Sequence, residues 1–380
     1  MIPTFYQTHL KKQLTSAQFL VMTTLPIVMQ SEKQVRLERL ARVFPYPITT
    51  ESRRRKLQRF LDLQNLTISL IWFPLITYWL TTYCRIGTRL SIAIDRSQWG
   101  CINLFMVSPI SPRRAIPLYW GLLPKLGNSN FESQITNLEQ VLPLFSEYKV
   151  IVLGDREFCD VDLGNWIKEK GVSFCLRLKK NLCIETEHLV GQRLDELGIV
   201  PGTSLYVQGK KVRKTLPTTG FELACKWKRN YGKYQVKEAW FILTDLGSLR
   251  EALNTYKQRM GIEEMFRDCK TVGYNLEGTS LKGNRLINMI LLMTLAYSSA
   301  IFQGNELKKK QVQEYVSRRT EPNKKYRRRS TFGVGLDGEK WLNYLEQYSL
   351  EVEQLMKLTP SKRRFYQQGM RAATLIQSIS

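Results

Sequence analysis

An α/β fold is predicted, for three reasons. Between residues 90 and 179, short apolar runs alternate with helix-like segments. Two of those runs end in aspartate. The flanks on either side read as helical and basic instead.

In chain order, residues 1–85 form a helical, DNA-binding type of region. KQVRLERLARV (33–43) spaces its apolar residues about one helical turn apart. Arg53-Arg54-Arg55-Lys56 follows, read either as a DNA-docking surface or as a solvated helix face. The first part of an α/β core spans 86–180. LSIAID (90–95) reads as a buried strand, and CINLFMVSPI (101–110) and RAIPLYWGLL (114–123) as two more around a Ser111-Pro112-Arg113 turn. Pro117 places the third strand at an edge or a bulge. Asn130 caps a helix over 131–145 that Pro143 can kink. KVIVLGD (149–155) is a strand, 161–170 a helix and VSFCLRLK (172–179) a strand.

Residues 181–238 break this order. Their glycines and basic stretches, KKVRK (210–214) and KWKR (226–229), read as a β-rich insertion. The core resumes over 239–305, with strand WFILTDL (240–246), a long helix over 249–271 and an apolar helix over 286–302. Residues 306–380 form a basic, helical C-terminal region.

Composition narrows the function. The 380 residues hold 57 Lys and Arg against 33 Asp and Glu, a net charge of +24. With 43% hydrophobic residues the chain builds a real core, which excludes wholesale disorder. Such a charge calls for a polyanion, nucleic acid before an anionic membrane. Seven cysteines without a CxxC pair read as reduced core residues of a cytosolic protein, and two histidines leave no His-rich zinc site. Residues 63–84 carry no charge, but their many polar residues favour a buried helix over a membrane span.

Asp95 and Asp155 each close an apolar strand, where α/β sheets place ligands. Two such carboxylates can share one divalent cation through hard oxygen donors; a turn or N-cap role is the alternative. Tyr256, Arg259, Glu263 and Lys270 follow at offsets of +3, +4 and +7. At about 100° per residue they fall within roughly 60° of one helix face. A core helix would present an apolar stripe there. An i,i+4 ion pair on a solvated face is the plain reading, and a third carboxylate flanked by phosphate-binding cations is the other. Glu264, about 80° away, is the poorer candidate for that carboxylate.

Y-x2-R-x3-E-x6-K resembles the signature of the bacterial insertion-sequence transposases of family four, which are DDE transposases with an RNase H-like core. The motif is complete here, and IAIDRSQW (92–99) and IVLGDREF (151–158) resemble the family's two aspartate strands. The likeness spans about 60–300 and is strongest at 90–180 and 238–275. It implies an RNase H-like mixed sheet with flanking helices, interrupted by the insertion. It implies that Asp95, Asp155 and Glu263 are the catalytic triad and bind two Mg2+ ions, with Mn2+ able to substitute. Tyr256, Arg259 and Lys270 would contact DNA. Trp240, in WFILT, matches the context of a tryptophan that stacks on a flipped base, with Trp227 as its rival. Lys210, Lys211, Arg213 and Lys214 would hold flanking DNA. The implied activity is cut-and-paste transposition on double-stranded DNA, at the element's terminal inverted repeats and its target. It implies a homodimer in the synaptic complex, located with the nucleoid in the bacterial cytoplasm and away from membranes. A different RNase H-like nuclease, or an inactive DNA-binding remnant, is the alternative.

Overall fold

The computed structural model describes residues 2–111, 114–184, 192–208, 221–229, 238–319, 323 and 329–379. The chain divides into two compact units, one of Ile76–Phe266 and one of Met1–Leu75 with Arg267–Ser380.

The first of these is built on a mixed sheet. Its strands are β1 (Arg89–Trp99), β2 (Ile102–Ser111), β3 (Arg114–Ala115), β4 (Tyr119–Leu122), β5 (Lys149–Gly154), β6 (Ser173–Arg177), β9 (Ser204–Val207), β10 (Glu222–Lys226) and β11 (Trp240–Thr244). A separate two-stranded pair joins β7 (Cys183–Ile184) to β8 (Gln192–Arg193). The sheet runs β3-β2-β1-β5-β6-β11-β10-β9, with β4 also on β2. β1, β5 and β6 are parallel, and the remaining pairings are antiparallel. A three-stranded antiparallel start followed by two parallel strands is the RNase H-like arrangement. Helix Val161–Glu169 makes the crossover that the parallel neighbours β5 and β6 require, and helix Phe131–Glu139 lies on the connection from β4 to β5.

The central strands are buried, as their unbroken apolar runs require. Ile92, Ala93, Ile94, Val152 and Leu153 are all fully buried. Each such Val, Leu or Ile side chain contributes roughly 1.5–3 kcal/mol.

Four sequence readings change in detail. β1 does not stop at Asp95 but continues to Trp99, because β2 pairs with it as far as Ile102. Asp95 instead marks where the parallel ladder with β5 ends, at Ile94 opposite Gly154. The third strand splits into β3 and β4 around Pro117, which has no N–H for the ladder. The helix expected over 131–145 stops at Glu139, and Leu142–Phe145 is a separate 3-10 turn with Pro143 inside it. Among the cysteines, Cys175, Cys225 and Cys269 are buried, but Cys101 and Cys183 are exposed.

The second unit is helical. Its centre is Gly283–Lys309, a helix long and apolar enough to cross a bilayer, with 89% of its most apolar window buried. A helix apolar on every side needs such cover. Ser16–Glu32, Thr50–Leu61 and Thr331–Gln347 supply it. Tyr6 donates to Ser298 at 2.8 Å, Gln30 to the Ala296 carbonyl at 2.7 Å, and Asn288 to the Leu61 carbonyl at 2.8 Å. Against Thr331–Gln347 the approach is close. A Cβ on Gly304 would collide with the Thr331 carbonyl oxygen, and one on Gly335 with that of Ala300.

Candidate active site

β1, the end of β5 and one helix bring Asp95, Asp155 and Glu263 of the sheet unit together. Ile94 pairs with Gly154 across the parallel ladder, so Asp95 and Asp155 emerge side by side. Their backbones are fixed locally. Asp95 accepts a hydrogen bond from the Arg96 N–H at 2.8 Å, and Asp155 one from the Arg156 N–H at 2.5 Å. Asp155 thereby caps the 3-10 turn Arg156–Phe158, so the capping role and the site role coincide. The preceding position must be glycine. A Cβ on Gly154 would stand 2.8 Å from both Phe158 Cβ and Leu176 Cδ2.

The third carboxylate comes from helix Met260–Arg267. Arg114 holds one of the two adjacent glutamates of that helix. Its guanidinium binds the Glu264 carboxylate at 3.1 Å and the Glu264 carbonyl at 3.1 Å. Glu264 is thus drawn to β3. Gly261 lets the helix sit close to the same strands, its Cβ position 3.2 Å from the Ala115 nitrogen. Glu263 is left to meet the aspartates.

The meeting point is Arg259. One guanidinium nitrogen lies 3.4 Å from Asp95 Oδ2, and the other 3.7 Å from Asp155 Oδ2 and in contact with Glu263 Oε1. Its side chain is only 7% exposed. Burial opposes the guanidinium's charge, but Tyr256, Asp155, Asp95 and Glu263 outweigh it and raise its pKa. Asp95 behaves oppositely. Burial, partly offset by Arg259 and the Arg96 N–H and reinforced by Asp155 and Glu263, pushes its carboxyl up to about 6.

The donor set is three carboxylates and no nitrogen or sulfur, which suits a hard divalent cation such as Mg2+ or Mn2+. As the side chains lie, no three His, Cys, Asp or Glu groups among the described residues are arranged to hold a metal ion. The carboxylates share the Arg259 cation instead, which shows that they converge on positive charge.

Of the other residues singled out in the sequence, Tyr256 is buried, with Arg259 over its ring at 5.9 Å and its phenol pushed up to about 12, mainly by burial. Trp240, at the start of β11, stands edge-on to the Tyr256 ring with centroids 5.2 Å apart. Lys228 Nζ covers the Trp240 ring at 4.8 Å. Trp227 is tied through its N–H to the Thr203 carbonyl. Lys270 belongs to the helical unit, where it pairs with Glu277 at 2.7 Å. Lys210, Lys211, Arg213 and Lys214 lie outside the described residues.

The regular helix expected over 249–271 is broken. A 3-10 turn at Lys257–Arg259 separates helices Leu249–Tyr256 and Met260–Arg267, and Asp268–Val272 is a π turn. Uniform angular spacing therefore does not run from Tyr256 to Lys270.

Sequence reasoning missed Arg96, Glu157, Gly154 and Arg114. Arg96 and Glu157 lie one and two residues beyond the two aspartates, a signal that was present but unused.

Residues 129–299 match the family model of the transposase DDE domain, a span that holds Asp155 and Glu263 and begins after Asp95. That match supports reading the chain as a DDE transposase. No curated protein matches the chain. Among solved structures, a piggyBac transposase synaptic complex with hairpin DNA is similar over 91% of this chain and 78% of that chain, at 11% identity and a TM-score of 0.43.

Proposed function

We propose that this protein is a DNA transposase that cuts at the terminal inverted repeats of an insertion sequence and joins the freed 3′-OH to target DNA. The observation that carries this reading is the gathering of Asp95, Asp155 and Glu263 around one buried cation, within a sheet unit overlapped by the transposase DDE match.

In this reading Asp95, Asp155 and Glu263 hold two Mg2+ ions, or Mn2+ in their place. When bound, these ions neutralise charge developing on the scissile phosphate and acidify the attacking hydroxyl. The chain's own residues do the rest. Asp95 and Asp155 present their oxygens from adjacent strands of the sheet. Glu263 closes the site from the helix. Arg259, shared by the three carboxylates without metal, would turn its positive charge to the phosphate once the ions are held. One such site serves both cleavage and joining, because each is an in-line displacement at phosphorus.

The net charge of +24 supports a double-stranded DNA partner. Two copies acting on two ends, in the bacterial cytoplasm, complete the reading. Membership of insertion-sequence family four rests on the Tyr256, Arg259, Glu263 and Lys270 spacing.

The test uses a plasmid carrying the DNA that flanks this gene. Purified protein should nick it at the repeat ends with Mg2+ and leave it intact with EDTA. Cutting that is indifferent to EDTA, or no cutting under conditions where a related transposase cuts its own ends, would overturn the reading.

A further inference from the structure

Arg96 and Glu157 connect the two aspartate strands a second time, behind the carboxylates. Arg96 Nε lies 2.9 Å from both oxygens of Glu157. The pair is well covered, with side chains 14% and 16% exposed. Arg96 Nη1 also donates to Gln98 at 3.0 Å and to Asn103 at 2.9 Å. Glu157 Oε1 accepts from the Ser129 N–H and from its hydroxyl, both at 2.9 Å.

The network reaches the loop that follows β4. Asn103 donates to the carbonyls of Lys125 and Gly127, and the Gly127 N–H donates to Gln98. Gln134, in the helix beyond, donates to Ser129 Oγ at 3.1 Å. Arg96, Gln98, Asn103, Ser129 and Glu157 each have a partner on a different segment. A covered ion pair adds little net stability over an apolar pair, but it fixes geometry and is costly to break.

We infer that Arg96 and Glu157 are positioning residues that hold Asp95 and Asp155 in register for cation binding, an inference that rests on the proposed function. Arg96 is bonded to Asp95 through the backbone. Glu157 lies in the 3-10 turn that Asp155 caps. A shift of either partner therefore moves a carboxylate. Neither Arg96 nor Glu157 contacts a reacting group in this account. They act through their neighbours, as partners behind the ligands of metal sites do.

The experiment uses the full-length, metal-stripped protein and Mn2+ alone as probe. Free Mn2+ is followed by electron paramagnetic resonance, and backbone hydrogen exchange is measured without metal. Glu157→Gln should weaken Mn2+ binding about 10–100-fold. It should also speed exchange at residues 95–98 and 127–130. The swapped pair Arg96→Glu with Glu157→Arg should recover part of that affinity. Arg285→Gln, which breaks the Asp62 pair in the helical unit, should leave Mn2+ affinity unchanged.

Wild-type Mn2+ affinity in Glu157→Gln would overturn the inference. If Glu157→Gln does not fold, Ser129→Ala removes one of the two Ser129 donors to Glu157, the hydroxyl, keeps the N–H, and should weaken binding in the same direction; unchanged affinity there overturns it equally. A wild-type protein whose Mn2+ binding is indifferent to Asp95→Asn would overturn the proposed function instead. Exchange alone then decides whether Arg96 and Glu157 hold the two aspartate segments: faster exchange at those residues in Glu157→Gln upholds this, and unchanged exchange overturns it.

Discussion

Ile94 and Gly154 face each other across the parallel ladder of β1 and β5, one residue before Asp95 and Asp155. That pairing turns two carboxylates 60 positions apart in sequence into immediate neighbours. Glu263 joins them through Arg259, while Arg114 holds Glu264.

Gly154 should not tolerate a side chain. Gly154→Ala places a Cβ 2.8 Å from Phe158 and Leu176. Overpacking of this kind costs about 1–3 kcal/mol. The turn must move to relieve it, taking Asp155 along. DNA cleavage by the variant should fall at least tenfold, with a lower urea midpoint, and retained wild-type cleavage would show that the turn has slack.

Arg259 should be worth more without metal than with it. It is the cation that the three carboxylates share. Arg259→Ala leaves them mutually repelling and partly buried. The metal-free variant should lose about 1–3 kcal/mol of stability, discounted for the exposure of Glu263. Added Mn2+ should raise its melting temperature by more than it raises that of the parent. An equal rise in both proteins would contradict this.

Asp95 sets a pH dependence. Its folded pKa, about 6, lies above the ordinary aspartate value because burial disfavours its charge. The unfolded state therefore ionises first as pH rises. Stability linked to Asp95 is present below about pH 4 and lost progressively toward about pH 6. In metal-free protein, Asp95→Asn should remove about 1–3 kcal/mol of that loss at pH 8 and have little effect at pH 4. Mn2+ affinity of the parent should rise with pH through about 6, because binding needs the carboxylate. A flat affinity between pH 5 and 8 would oppose the assignment.

The helix crossing in the helical unit should be equally strict. Gly335→Ala would drive a Cβ into the Ala300 carbonyl oxygen. The expected cost is about 3 kcal/mol or more, read as a shift in urea unfolding. An unchanged midpoint would mean that the two helices separate easily.

Much of this site was legible in the sequence, for physical reasons. An apolar run ending in Asp is visible without neighbours, and so is a carboxylate at fixed distance from an arginine. The angular count set Glu263 apart from Glu264, and the fold places them on different arginines, Arg259 and Arg114. Burial of Arg259 was not legible, because a charged residue on a helix reads as solvated until its partners are known. The breaks at 257–259 and 268–272 were equally hidden, since neither segment contains a proline or glycine to signal it. The extension of the sheet through β11, β10 and β9 was not visible either, because antiparallel pairing partners of an insertion are set by tertiary contact. Trp240 was singled out by its sequence context, but only the fold sets it against Tyr256 and beneath Lys228.

The most direct measurement compares two adjacent glutamates. DNA carrying the repeat ends is incubated with Mg2+ and with the parent protein, Glu263→Gln or Glu264→Gln, and the products are resolved on denaturing gels. The account predicts cutting by the parent and by Glu264→Gln, and none by Glu263→Gln, with all three binding the DNA alike. Cutting by Glu263→Gln would contradict the assignment of Asp95, Asp155 and Glu263 as one catalytic centre.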